Sequence, residues 1–255
     1  MFKENTLINP VNEFTWRLPV EKCDDKELDW MIKNLLANFQ KLYGCTVNIV
    51  QIQSDYLENK NNGTLDLLTF NTNSIEYFFL KIDTIFDILY QVYFKLCNPE
   101  RPAKKSKHAH LEDVFTEYKT KTGSEVDIKW LTPINAVRNR IAHGGFSVKC
   151  FILEEHFAFQ AYDLNLNERI KDDFGFFVNE RPIVYTDLYT NFYTQKTHEF
   201  IQDFLGFVIY KVSEGDREEL PLGAFDKQQK ESASALYYGG EKTFLNTSRQ
   251  IGKRA

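Results

Sequence analysis

Residues 138–145, RNRIAHGG, carry the side chains of this chain that are best suited to chemistry on a phosphate ester. Two guanidiniums, one amide and one imidazole fall within six residues, and two glycines follow. An imidazole exchanges protons near neutral pH and can act as a general acid or base. A planar guanidinium donates paired hydrogen bonds to phosphoryl oxygens and stabilises the negative charge that develops on them. The segment predicts a phosphoryl-transfer site or, alternatively, an ordinary solvated helix end.

The spacing around this segment predicts a short helix that ends on the glycines. Thr132 supplies a cap residue, Pro133 suits the first helical position, and Gly144-Gly145 ends or sharply bends the helix. At about 100° per residue, three apolar side chains share one face and are predicted to point into the protein: Ile134, Val137 and Ile141.

The polar side chains of the same helix are predicted to point elsewhere. Asn139 and His143 lie one turn apart on nearly the opposite face, and Arg138 lies on the flank. His143 is therefore predicted to be exposed rather than a core histidine. Arg140 lies on another face, where it is predicted to hold a phosphate backbone or to form a salt bridge.

The stretch RNRIAH at residues 138–143, hereafter the motif, resembles the R-polar-x-x-x-H signature of HEPN domains. HEPN domains are helical bundles; many are metal-independent endoribonucleases, and many are encoded in bacterial defence or toxin–antitoxin systems. The resemblance covers the motif and the long helices from about residue 73 to 212. It implies a mainly α fold, here a HEPN-like helical bundle with a β-rich hairpin insert, so that the chain is α+β overall.

The resemblance also implies a reaction and the residues that perform it. The 2′-hydroxyl of RNA attacks the adjacent phosphate and leaves a 2′,3′-cyclic phosphate end, with Arg138, Asn139 and His143 as the catalytic residues. No cofactor or metal is implied. HEPN nucleases dimerise so that the motifs of two protomers face one cleft, and a homodimer is expected here as well. An inhibitory antitoxin or a regulatory protein is a further candidate partner.

The densest basic stretch of the chain, PERPAKKSKHAH at residues 99–110, is predicted to be a loop. Lys104, Lys105 and Lys107, together with His108 and His110, can contact RNA phosphates through their positive charge. The same residues equally fit a solvated loop without a function.

Two acids and two histidines outside the motif are the remaining titratable candidates. Asp83 and Asp87 lie one turn apart on the predicted central helix, where they reach Arg138 or face solvent. They do not predict a metal site, because no third ligand has a convincing spacing. His156 and His198 lie in aromatic-rich segments and are predicted to be packing residues.

Hydrophobic periodicity divides the chain into three parts. Residues 1–72 are predicted to form an α/β segment, with a helix that begins after Asp24 or Asp25 and stops at Gly44, and a strand at 47–52. Residues 73–214 are predicted to form the HEPN-like core, and residues 215–255 a polar tail.

Within the predicted core, two long helices at 73–97 and 187–212 are expected to pack antiparallel, with the motif helix beside them. The first is predicted to begin at Asn73 or Ser74. A strand-rich insert at residues 146–186 separates the motif from the second long helix. Its strands are predicted to be FSVKCFIL and HFAFQAYDL, joined as a hairpin by Glu154-Glu155, followed by GFFV and PIVY.

Composition narrows the classes of protein that remain. A chain of 255 residues with 43% hydrophobic and 15% aromatic residues can bury a large core. Its net charge of -5 argues against a nucleic-acid binder with a uniformly basic face, although a local basic cleft is compatible with it. Four widely separated cysteines, the absence of an apolar leader and the absence of a membrane-length apolar run favour a reduced cytoplasmic protein.

Two other hypotheses are compatible with the same residues. In the first, a non-catalytic HEPN-like module binds RNA or a partner protein and retains the motif for the structure of its dimer. In the second, the chain is a scaffold whose function lies in the strand insert or in the tail.

Overall fold

The computed structural model describes residues 9–58, 64–99, 106–123, 128–160 and 183–212. Over these residues the chain is mainly helical and carries one small antiparallel sheet, which confirms the prediction of a mainly α fold with a β hairpin. The elements in chain order are α1 (Pro10–Arg17), α2 (Val20–Cys23), α3 (Lys26–Glu58), α4 (Thr64–Cys97), α5 (Lys107–Thr122), α6 (Leu131–His143), β1 (Cys150–Leu153), β2 (His156–Gln160), β3 (Ile183–Tyr185) and α7 (Thr186–Val212).

Helices α3 and α4 form a long antiparallel pair that supports the rest of the fold. Asp25 caps α3 as predicted, because its Oδ1 accepts hydrogen bonds from two backbone amides of the first turn. At one end of the pair Lys95 forms a salt bridge with Glu27, and near its middle the Cys45 thiol donates to the carbonyl of Ser74. These contacts align the start of α3 with the end of α4.

Helix α3 does not stop at Gly44, and the strand predicted at 47–52 is wrong. Side chains four residues apart lie on one helix face, so Cys45 and Ile49 are buried whereas Val47 is exposed. The apolar residues of this stretch therefore fit a helix that packs on one side. Gly44 is tolerated inside the helix because it lies on the exposed side.

Helix α4 begins nine residues before the predicted cap at Asn73, at Thr64. The predicted boundary between residues 72 and 73 therefore falls inside α4. The predicted end at Asn98-Pro99 is confirmed, since α4 ends at Cys97 and Asn98 adopts a positive φ of 40°. The N-terminal helices and the later ones share one hydrophobic core.

Helices α4 and α7 pack against each other as predicted, but they run parallel, so the antiparallel arrangement is wrong. Helix α7 starts beside the third turn of α4, where the Thr186 hydroxyl donates to Oδ1 of Asn71 at 3.3 Å. Helix α3 is the antiparallel neighbour of α7, with the Thr46 and Thr194 hydroxyls 2.8 Å apart. The aromatic contacts between α4 and α7, in order along both helices, are Phe78–Tyr189, Phe86–Phe200 and Tyr93–Phe207.

The predicted β hairpin is confirmed, with β1 and β2 antiparallel and Glu154-Glu155 at the turn. Both turn residues have positive φ angles, 50° and 69°. Gln53 of α3 holds the hairpin through two hydrogen bonds of 2.8 Å, to the Glu155 carbonyl and from the Phe157 amide. Strand β3 pairs with β2 and lies within the predicted PIVY strand. The GFFV strand, at residues 175–178, lies outside the described residues.

Candidate functional site

Helix α6 carries the motif and presents it at its C-terminal end. The helix begins at Leu131, after Trp130, so the predicted Thr132 cap is wrong. Pro133 still lies in the first turn, where backbone amides have no partner inside the helix and a missing N–H costs nothing. Ile134 and Val137 are fully buried, and Ile141 packs against the core as predicted.

The glycines after the motif end the helix, as predicted. Gly144 caps α6, and its amide donates to the Arg140 carbonyl at 2.9 Å. Gly145 has a φ of 60°, in the left-handed region that favours glycine. Glu76 of α4 then holds the following segment, because its Oε1 accepts hydrogen bonds from the Ser147 hydroxyl and the Val148 amide. The sequence did not indicate this role of Glu76, since a single acid on a helix carries no signal of a distant loop contact.

Arg138 is held by side chains on two helices. Its Nε lies 3.0 Å from Oδ2 of Asp83 on α4, and the Asp83 side chain is only 2% exposed. The sequence left open whether Asp83 reaches Arg138 or faces solvent; the structure places it against Arg138. The Arg138 side chain is 28% exposed, and its Nη1 donates to Oδ1 of Asn139 at 2.8 Å. One side of the guanidinium is thus held by a buried carboxylate, and the opposite end extends toward the surface.

Among the described residues of the predicted basic cluster, Lys107 lies near the motif. Helix α5 begins at Lys107 and is capped by Ser106, so the predicted loop ends earlier than expected. Lys107 forms a salt bridge with Asp87, one turn from Asp83. Partial burial lowers the pKa of Lys107; the nearby Asp83 opposes this shift, and Arg138 adds to it. Two cations and two carboxylates therefore form one charge cluster on α4, α5 and α6.

His143 and Asn139 are exposed, as the helical spacing predicts, and Arg140 is exposed as well. No hydrogen bond or ion pair to another described residue engages the His143 imidazole. Its ring nitrogens are accessible to a ligand that approaches the C-terminal end of α6. The positions of Arg138, Asn139 and His143 on one exposed helix end are consistent with a site that contacts a ligand from solvent.

The structure does not test the remaining lysines of the basic stretch as RNA contacts. Lys104 and Lys105 lie outside the described residues, and so does the side chain of His108. His110 does not lie on the surface: it is buried, and its Nδ1 lies 2.9 Å from the hydroxyl of Tyr90. It is buried because helix α5 packs this side chain among the aromatic rings of α4.

The two histidines that were predicted to pack do so. His198 is buried and stacks on Phe39 with ring centroids 5.7 Å apart. His156 lies against the ring of Tyr185 at 4.9 Å. Burial lowers the pKa of His198 to about 4, so this imidazole is neutral at physiological pH.

Comparison with protein-family models, with curated proteins and with solved structures found no match for this chain. The HEPN resemblance therefore rests on residues 138–143 and on the helices that hold them. Among the described residues, no group of three or more histidines, cysteines and acids is arranged to hold a metal ion. Within the same residues, no helix combines the length and the apolar character needed to cross a bilayer.

Proposed function

We propose that this protein is a metal-independent endoribonuclease of the HEPN type, with Arg138, Asn139 and His143 as its catalytic residues. The observation that carries the proposal is the pairing of Arg138 with the buried Asp83, beside an exposed His143 on the same helix. The pair fixes a cation on the helix that also carries an exposed imidazole. Fixed cations and a nearby base are what a phosphoryl-transfer transition state requires.

In the proposed reaction, His143 accepts the proton of the RNA 2′-hydroxyl as that oxygen attacks the adjacent phosphorus. The bond from phosphorus to the 5′-oxygen of the next nucleotide breaks, and a second proton donor protonates the leaving oxygen. Arg138 stabilises the charge on the phosphoryl oxygens. The products are a 2′,3′-cyclic phosphate end and a 5′-hydroxyl end.

A dimer supplies the second proton donor in this proposal. His143 is one imidazole on an exposed surface, and the reaction uses a base and an acid. Two copies of α6 that face each other across a two-fold axis place a second His143 in the same cleft. The cleft also excludes water from the phosphate, which strengthens the electrostatic contribution of Arg138. A role in bacterial defence, and control by an inhibitory protein, belong to the same proposal.

One observation favours a second candidate function, a non-catalytic module that binds RNA or a partner protein. Arg138 uses two of its nitrogens on Asp83 and Asn139, so the motif also stabilises its own helix end. In that case the motif is a structural element of a dimer or of a binding surface.

Incubation of the purified full chain with RNA in excess EDTA distinguishes the two candidates. Cleavage that leaves 2′,3′-cyclic phosphate and 5′-hydroxyl ends supports the nuclease. Stable RNA binding with no cleavage supports the binding module, and the nuclease proposal then fails.

A further inference from the structure

A groove between α3 and α4, on residues that do not belong to the motif, has the composition of a ligand site. Its cavity has a volume of about 440 Å³. Lys41, Gly44 and Asn48 line it from α3, and Phe70, Asn73 and Tyr77 line it from α4. Lys41, Gly44 and Asn48 lie on one side of α3 because the helix continues through Gly44.

One lysine lines this groove and a second lies beside it. Lys41 lines the cavity, and the ammonium of Lys81 lies 4.9 Å from the centre of the Tyr77 ring. Lys81 donates to the neutral Asn38 amide oxygen at 3.0 Å. Partial burial lowers the pKa of Lys81, and the charge of Lys41 lowers it further. No carboxylate is among the described residues that line the cavity, so an anion entering it lowers the repulsion between the two lysines.

Two aromatic rings are exposed at the same groove. Phe70 is 58% exposed and Tyr77 is 39% exposed. They are seven residues apart on α4 and therefore lie on one face of the helix. Exposed aromatic rings beside cations are the features on which proteins stack nucleobases while holding the attached phosphate. The amides of Asn48 and Asn73 add donors and acceptors suited to a base edge or a ribose.

We propose that this groove binds one nucleotide unit, with its base against Tyr77 and Phe70 and its phosphate at Lys41 and Lys81. The site goes beyond the proposed nuclease function, because it uses neither Arg138 nor His143. An acidic peptide would satisfy the two lysines but would leave the two rings exposed. A phosphate joined to a flat ring satisfies both, and it is supplied either by a free mononucleotide or by a nucleotide within single-stranded RNA.

Gly44 is a position at which a larger side chain can block this site. A Cβ built at Gly44 meets nothing within 4 Å, so a larger side chain enters the groove without distorting α3. The variant Gly44→Leu is expected to occupy the space of the nucleotide while the helix remains intact.

The experiment is isothermal titration calorimetry of the full chain with three probes: adenosine 5′-monophosphate, inorganic phosphate and a 2′-O-methyl tetranucleotide that cannot undergo 2′-hydroxyl attack. Adenosine monophosphate, the tetranucleotide or both are expected to bind at least about tenfold more tightly than phosphate, because stacking adds to charge. Lys41→Ala, Lys81→Ala and Gly44→Leu are each expected to weaken that binding about tenfold or more. Tyr77→Ala is expected to remove the preference over phosphate.

Matched controls separate the groove from the general surface. Lys33→Ala removes an exposed lysine of α3 outside the groove, and Lys196→Ala removes a lysine of α7 that lies over the Phe192 ring. Neither is expected to change binding. Tight binding of the mononucleotide assigns a free nucleotide, and tight binding of the tetranucleotide alone assigns RNA.

Three outcomes overturn the site. They are nucleotide affinity no higher than that of phosphate, equal losses in Lys81→Ala and Lys196→Ala, and binding that depends on Arg138 instead of Lys41. If His143→Ala loses RNA cleavage but still binds the nucleotide, the nucleotide site in the groove is supported. The two proposals can therefore fail separately.

Discussion

At the scale of single residues, the salt bridge between Arg138 and Asp83 joins the motif on α6 to α4. The sequence places Arg138 on the flank of its helix, and the fold puts a carboxylate that is 2% exposed 3.0 Å from its Nε. The partner could not be chosen from sequence between Asp83 and Asp87, because the choice depends on the rotation of α4 relative to α6. Lys107 reached the cluster for a similar reason, since its place depends on where α5 begins. The faces of Asn139 and His143, by contrast, follow from helical spacing alone and were predicted.

The first prediction is that Arg138 and Asp83 are coupled in stability. Arg138→Ala should lower the free energy of unfolding by about 2 kcal/mol, less than the roughly 3–5 kcal/mol typical of breaking a fully buried pair, because the guanidinium is partly exposed. Asp83→Asn in the Arg138→Ala background should restore part of that loss, since a neutral amide is easier to bury. Urea denaturation, followed by circular dichroism, gives the unfolding free energies of the wild type, the two single variants and the double variant. If the losses of the two single variants simply add in the double variant, the coupling is contradicted.

The second prediction concerns His198, whose pKa is lowered to about 4 by burial. The unfolded chain binds a proton at His198 below its ordinary pKa of about 6.5, whereas the folded chain does not until about pH 4. Stability is therefore lost as pH falls from about 6.5 to 4, and His198 accounts for up to about 3 kcal/mol of the loss.

The variant His198→Phe isolates this contribution, because it keeps a ring against Phe39 and removes the titratable group. Burial raises the pKa of Asp187, and this acts in the opposite direction at low pH, so the comparison must be made between variants. Unfolding free energies at pH 7 and pH 4.5 should differ more in the wild type than in His198→Phe. Equal differences would show that the imidazole is not buried in its neutral form.

At the scale of elements, local sequence patterns predicted single helices and strands correctly where they were strong. The same patterns did not predict how distant elements pack against each other. The hairpin was predicted from its alternation and its turn, and α6 from its apolar spacing. The segment at 47–52 was predicted to be a strand because a short apolar run fits both the two-residue period of a strand and the 3.6-residue period of a helix. In the structure it is helical, because a helix buries one side of this segment against α4. The direction of α7 relative to α4 depends on the path of the intervening hairpin, which no local pattern encodes.

The third prediction tests the element that was misassigned. Gln53 bonds the hairpin only if α3 is helical through this segment, and Gln53→Ala leaves the buried Phe157 amide without its acceptor. The loss should be about 1–3 kcal/mol of unfolding free energy. Gln51→Ala is the control, since Gln51 is exposed and donates to Asp55 on its own helix. Equal stability of the two variants in chemical denaturation would contradict the role of Gln53 in holding the hairpin.

At the scale of the whole molecule, the charge cluster bears on whether two motifs can face each other. Arg138 and Lys107 are each paired with an acid of α4, so an interface between two motifs brings together less net positive charge than the motif sequence suggests. The division of residues 73–214 and 215–255 into a core and a tail stays a prediction, because residues 213–255 lie outside the described part of the chain.

The fourth prediction is therefore a dimer with the C-terminal end of α6 at its two-fold interface. Light scattering at assay concentrations should give about twice the chain mass of 30.0 kDa. Asn139→Arg adds a cation to both sides of the interface and should produce monomers with loss of cleavage. Thr132→Arg, at the other end of the same helix and also exposed, should leave the dimer intact. A fully active wild-type monomer would refute the shared cleft.

The central claim is that His143 performs metal-independent RNA cleavage, and one measurement tests it most directly. Cleavage rates of wild type, His143→Ala and the exposed α6 control Thr132→Ala are compared on the same RNA in excess EDTA. His143→Ala should be slower by about 10²–10⁴-fold, as expected for loss of a general base, while it keeps the wild-type melting temperature. Thr132→Ala should match the wild type, with 2′,3′-cyclic phosphate ends in both. Cleavage by His143→Ala at the wild-type rate would contradict the catalytic assignment.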